Sequence, residues 1–191
     1  MKKIGGRTGH ILVFTAVLLV ISIIINNSTT VLKVIYPIKY KEYVFKHSQK
    51  NNIDPYLVFA IIKTESNFNP KAQSRKNAKG LMQITDETGK WAANKNKLEN
   101  FKTEDLYNPE INILLGCWYI HWLMQQFNND TDLVIAAYNG GNGNVNEWLK
   151  DKKFSSSGTS LEKIPFKETD NFVKKVKKYH DVYKGLYVKE F

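Results

Sequence analysis

The stretch Glu65-Ser66-Asn67-Phe68-Asn69-Pro70, followed by Ser74 and then by Gly80-Leu81-Met82-Gln83-Ile84, decides how this chain is read. Immediately upstream, Asp54-Pro55 has the form of a helix start. An Asp side chain caps free backbone N–H groups, and the fixed φ of proline suits the first helical position. Leu57, Val58, Ile61 and Ile62 then recur at helical spacing up to Ser66. Glu65 follows Ile61 by four residues and Ile62 by three, so its carboxylate continues the apolar face. Desolvation in such a place favours the neutral acid, and a carboxyl that stays protonated near neutral pH can serve as a proton donor.

An isolated glutamate at a helix end is ordinarily just solvated. The residues around Glu65 change that reading. Glu65-Ser66, Ser74 nine residues later, and Gly80-Leu81-Met82-Gln83-Ile84 resemble, in identity and spacing, the lytic transglycosylases of the soluble, goose-lysozyme-like type. The resemblance implies an all-α, lysozyme-like domain in which Glu65 is the catalytic acid and base. It also implies that Ser74, Met82 and Gln83 line the glycan groove. Residue by residue, Ser74 alone reads equally as a turn hydroxyl bonded to its own backbone. Gly80 allows close backbone approach, and Met82 offers a soft apolar wall to a sugar face.

Two further segments carry the same likeness. Ala136-Ala137-Tyr138-Asn139-Gly140-Gly141 resembles the family's third motif, which implies Tyr138 and Asn139 on the groove wall; by itself it reads as a helix closed by glycine. Pro165-Phe166-Lys167-Glu168-Thr169 resembles the fourth, with Phe172 where tyrosine is common, and implies that Glu168 lines the groove. The likeness also includes Asn108-Pro109-Glu110 and Gly116, where a small residue lets helices pack closely. It fails after Ile84. The family usually continues Met-Pro, whereas this chain has Thr85-Asp86, so a Thr85 or Asp86 cap must start the next helix. Trp91, on that helix, reads as packing rather than as a sugar platform.

Length and charge set outer limits. The chain has 191 residues, room for one catalytic domain with a proper core. Its net charge of +10 suits a polyanionic partner, whether cell-wall polymer, anionic lipid or nucleic acid, and charge alone does not choose among them. Cys117 is the single cysteine, so no intrachain disulfide or cysteine zinc cluster is possible, and its apolar neighbours mark it as core. His10, His47, His121 and His180 are scattered without metal-ligand spacing. No cofactor, metal or nucleic-acid partner is expected, and the protein is expected to act as a monomer.

The N-terminus has the layout of an export signal. Lys2, Lys3 and Arg7 precede an apolar run over residues 11–25, and no small-residue cleavage motif follows. An uncleaved signal anchor is therefore expected over residues 1–30, with a cleaved signal peptide as the alternative. Residues 31–39, broken by Pro37, read as a stalk, and residues 40–187 as the catalytic domain outside the membrane.

The remaining pattern is helical. Tyr40, Tyr43, Val44 and His47 mark one helix; Ile113, Leu114, Cys117, Ile120, His121, Met124 and Phe127 mark a long central one; residues 132–138 mark another. Residues 151–160 read as a mobile loop. A last helix from about Asp170 turns Val173, Val176, His180, Tyr183 and Tyr187 inward and Lys174, Lys175, Lys177 and Lys178 outward.

The resemblance implies cleavage of the β-1,4 bond between N-acetylmuramic acid and N-acetylglucosamine in peptidoglycan strands. Glu65 would protonate the leaving oxygen, then take the proton from the muramoyl C6 hydroxyl to close a 1,6-anhydro ring. Two alternatives stand beside this. One is a muramidase of the same fold, in which water attacks and a second carboxylate, Glu168, Glu87 or Glu110, assists. The other is a slow cell-wall-binding module of an export or conjugation machine.

Overall fold

The computed structural model describes residues 6–189, and every element in it is helical apart from isolated bridges from Lys79 to Gln73 and to Ile84. Lys2 and Lys3, and the side chain of Arg7, lie outside the described residues. Contacts divide the chain into two units. The N-terminal unit is helix α1 (Gly6–Ile35). Among the described residues, no helix is long and apolar enough to cross a membrane.

The second unit, residues 38–188, holds the core. Helix α2 (Lys41–Lys50) leads into α3 (Pro55–Glu65), where Asp54 accepts the Tyr56 N–H at 2.9 Å and Pro55 occupies the first turn. A run of seven residues, Tyr56 to Ile62, is buried on every side of α3, the mark of a helix enclosed by others. Phe59 sits among Phe45, Phe68 and Tyr183, with ring centroids 5.6–6.4 Å away. Helix α4 (Asp86–Lys95) starts on a Thr85 cap, as the missing proline requires. After a short 3-10 turn, α5 (Pro109–Gln126) packs against α2, α4 and the next helix, α6 (Thr131–Gly140). Helix α5 is buried beyond the single expected face. Leu115 and Leu123 are fully enclosed along with Ile113, Cys117 and Ile120, because the helix has neighbours on several sides. Helix α7 (Asn142–Lys150) follows directly on Gly141, whose φ of +87° makes the corner.

Two boundaries differ from expectation. Helix α8 (Lys167–Tyr187) begins three residues before Asp170, which places Glu168 on the first turn of a helix and not on a loop. The 151–160 segment is tied down by its own hydrogen bonds: the Glu162 carboxylate accepts the N–H and hydroxyl of Ser156, and buried Ser155 accepts the N–H of Gly158. Helix α8 lies along α3 and α6, with Phe172, Val173, Val176, Tyr183 and Tyr187 buried. His180 is half-buried and holds Asp54, the cap of α3, at 2.8 Å.

Candidate active site

Glu65 is the last residue of α3, and what stops the helix also aims its side chain. Ser66 leaves the helical conformation, and its hydroxyl donates to the carbonyls of Ile62 at 3.2 Å and Leu81 at 2.8 Å. Asn67 and Phe68 then both take positive φ, 50° and 64°. Two such residues in succession are unfavourable for L side chains, but the turn returns Phe68 to the core beside Phe59, where burial offsets the strain. The chain passes through the bridged 73–84 loop and comes back under Glu65.

That loop is fastened from below by Asn112. Asn112 is fully buried on α5, donates to the carbonyls of Lys79 and Leu106, and accepts the Met82 N–H, at 2.8–2.9 Å. Gly80, at φ +77°, passes so close that a Cβ would collide with the Leu106 carbonyl and the Asn112 amide. Tyr138 on α6 adds a fourth tie by donating its hydroxyl to the Met82 carbonyl at 2.7 Å. On the outer side, nearly buried Lys79 pairs with Asp86 at the start of α4.

Above this floor is an open cavity of about 590 Å³, lined by Glu65, Ser74, Arg75, Lys76, Ala78, Gln83, Thr85, Tyr138, Asn139 and Glu168. Six of the seven residues singled out by sequence, from four separate segments, therefore meet at one place. Burial pushes the Glu65 carboxyl up to about 8, the nearby negative charge of Glu168 adds to the rise, and Lys175 opposes it. At pH 7 the group is mainly the neutral acid. Burial first, and then the Glu65 charge, also hold the Tyr138 phenol well above its ordinary range. Asn139 accepts the Thr169 hydroxyl at 2.8 Å, which fixes α6 against the start of α8 beside Glu168.

Met82 is the exception. Its side chain is fully buried and fills the space over Gly116, where a Cβ would strike its sulfur, so it lies under the floor and not on the wall. Gly116 accordingly makes room for the 80–84 loop and not for another helix. Gln83 lines the cavity at φ +48°, with its amide donating to the Ala72 and Gly80 carbonyls. Ser74 accepts the N–H groups of Lys76 and Ala78 and also faces the cavity.

Of the three candidate second carboxylates, only Glu168 shares the cavity. Glu110 is bonded to Lys46 at 2.6 Å and lies 3.7 Å from buried His47, while Glu87 borders a different pocket. Sequence reasoning missed Asn112, Thr169 and Lys175 as supports of the site, and passed over Arg75 and Lys76 as mere loop. Asn112 carried a faint signal, as an amide amid the apolar positions of the central helix.

The fold is all-helical and lysozyme-like, with the Glu65 carboxyl lining its open cavity. The chain belongs to the transglycosylase SLT domain family, whose model matches residues 42–159. It is 32% identical over 151 residues to the soluble lytic murein transglycosylase of Escherichia coli K12, covering 78% of this chain and 23% of that protein. To the membrane-bound lytic murein transglycosylase C of Edwardsiella ictaluri it is 40% identical over 116 residues, covering 56% of this chain and 32% of that one. An inactive glutamate-to-glutamine variant of the lytic transglycosylase Slt from Pseudomonas aeruginosa superposes with a TM-score of 0.72 at 32% identity, over 81% of this chain and 25% of that one. The chain spans about a quarter of the length of the first curated relatives it matches.

Proposed function

We propose that this chain is a peptidoglycan lytic transglycosylase, and the observation that carries the reading is the Glu65 carboxyl. It sits at the end of a buried helix, opens into a cavity large enough for sugars, and is held neutral to about pH 8. Such a group donates its proton to the glycosidic oxygen between N-acetylmuramic acid and N-acetylglucosamine. Departure of the sugar leaves it as a carboxylate, ready to take the proton of the muramoyl C6 hydroxyl as that oxygen closes on C1. The reacting hydroxyl is part of the substrate, so its proximity gives it a large advantage over water. Ser74, Gln83, Tyr138, Asn139 and Glu168 hold the strand, and Met82 supports Gln83 from beneath. Names of relatives support the assignment, as does the inactivity of the Pseudomonas variant with one glutamate changed. The test is digestion of purified peptidoglycan: the chain releases soluble muropeptides, and Glu65→Gln loses at least about 10⁴-fold, since one group serves both proton steps. Activity within tenfold of wild type would place the acid elsewhere.

Glu168 keeps a hydrolytic outcome in view, being the one carboxylate in the same cavity. We further propose that residues 1–30 serve as a signal anchor, residues 31–39 as a stalk and residues 40–187 as a monomeric catalytic domain outside the membrane. Supporting this are Lys2, Lys3 and Arg7 ahead of the apolar run, and the exposed side chains of Ile11, Leu12, Val13, Phe14 and Leu19 on α1.

A further inference from the structure

Lysines from three parts of the catalytic unit gather beside the catalytic cavity: Lys39 just ahead of α2, Lys63 on the last turn of α3, and Lys175 on α8, the helix packed along α3. Lys63 stands two residues before Glu65, and Lys175 is near enough to act on the Glu65 charge, so the group borders the cavity. Elsewhere on the surface lysines are answered by carboxylates, Lys46 by Glu110, Lys174 by Asp170 and Lys177 by Asp132. Among the described residues, exposed Lys39 and Lys175 have no ion-pair partner. Neutral groups hold the cluster in place: Lys175 sits over the Tyr179 ring at 5.8 Å, and half-buried Lys63 donates to the Asn67 amide oxygen at 2.6 Å. Burial, and then the positive charges of Lys175 and Lys39, hold the Lys63 ammonium below its ordinary range, so the three repel one another and an external anion relieves that repulsion. Next to Lys39, half-buried Tyr40 and Tyr43 line a small cavity of about 200 Å³ with Lys41 and Glu42. These residues follow directly on Pro37, where the N-terminal unit with its apolar helix ends.

Ammonium groups and amphipathic tyrosines next to an apolar helix have the composition of a membrane–water interface, where rings sit at headgroup level and lysines meet lipid phosphates. A phosphate-bearing wall polymer would match the charge alone; the tyrosines and the adjoining apolar helix favour a bilayer. We propose that Lys39, Lys63 and Lys175, with Tyr40 and Tyr43, form a docking surface of the catalytic unit for anionic phospholipid headgroups. The proposal deepens the anchored reading of residues 1–30 and rests on it for the nearness of a bilayer. Its consequence is that the catalytic cavity is held at the bilayer surface, where it meets the glycan nearest the membrane.

The test reconstitutes the full chain into vesicles of phosphatidylcholine alone or mixed with phosphatidylglycerol, acetylates exposed lysines briefly with a water-soluble reagent, and reads the rate at each lysine by peptide mass spectrometry. On the mixed vesicles Lys39, Lys63 and Lys175 react several-fold more slowly than on the neutral ones, exposed Lys90 and Lys95 on α4 react alike on both, and the difference fades in high salt. A lysine contributes about fivefold to partitioning onto an anionic surface, so Lys175→Gln lowers the protection of Lys39 and Lys63 by up to about fivefold, while Lys175→Arg keeps it. Equal rates on neutral and mixed vesicles, equal protection of Lys90 and Lys95, or the same protection by inorganic phosphate without vesicles would overturn the docking surface. Alkaline carbonate extraction of the same vesicles reports whether residues 1–30 hold the chain, and muropeptide release from peptidoglycan is measured separately, so failure of the docking surface, of the anchor and of the catalytic reading are told apart.

Discussion

Replacing Glu65 with glutamine should stabilise the protein while abolishing its chemistry, and the gain should grow with pH. In the folded chain the carboxyl holds its proton up to about pH 8, against an ordinary value of 4.5. Between those limits the native state binds one more proton than the unfolded chain, so the contribution of this group falls as pH rises, by about 1.4 kcal/mol per pH unit. The loss is on the order of 3 kcal/mol at pH 7 and is complete above the folded value. Glutamine fills the same space and has no proton to lose. The two proteins should therefore be of similar stability near pH 4, and the variant should lead by about 3 kcal/mol at pH 7, a shift of roughly 6–12 °C in Tm for a chain of this size. Urea unfolding followed by circular dichroism across this range gives the difference directly. A gap that stays constant with pH, or one that favours wild type at pH 8, would refute the claim that burial holds this carboxyl neutral.

Because the negative charge of Glu168 helps to raise Glu65, Glu168→Gln should move the alkaline limb of the kcat/KM profile to lower pH, and a limb that stays in place or moves up would contradict the coupling. Asn112→Ala leaves two carbonyls and one N–H without partners inside the protein and should cost roughly 3 kcal/mol or more in urea unfolding, with activity lost through the 80–84 loop. If residues 1–30 are retained as an anchor, the protein fractionates with membranes with its first residues intact; a mature protein in the medium starting near Val31 would show a cleaved signal.

Much of the site was legible because its chemistry lies in short, local signals. Asp54-Pro55 set the start of α3, the helical spacing of Leu57, Val58, Ile61 and Ile62 put Glu65 on the apolar side, and the absence of the family's proline after Ile84 called for a Thr85 or Asp86 cap, of which Thr85 forms. What escaped depends on tertiary partners. Met82 looks like a groove residue until Gly116 is known to lie beneath it, and nothing in the spacing of either reveals that contact. Asn112 is one polar residue in an apolar helix until the Lys79 carbonyl it satisfies arrives from 33 residues away. Trp91 packs edge-on against Trp118 and Trp122, as its place on the helix suggested, but that it also borders a pocket was not legible, because Tyr119 and Trp122 come from another helix.

Glu65 is proposed to work without a water-activating partner, and the mass of the product ends decides whether it does. Purified peptidoglycan strands are digested with the full chain, and the released muropeptides are analysed by mass spectrometry. If Glu65 works alone, the fragments carry 1,6-anhydromuramic acid ends, about 18 mass units below the hydrolysed sugar because no water is added. Reducing muramic acid ends as the main product would contradict it, and would give the attacking water to Glu168.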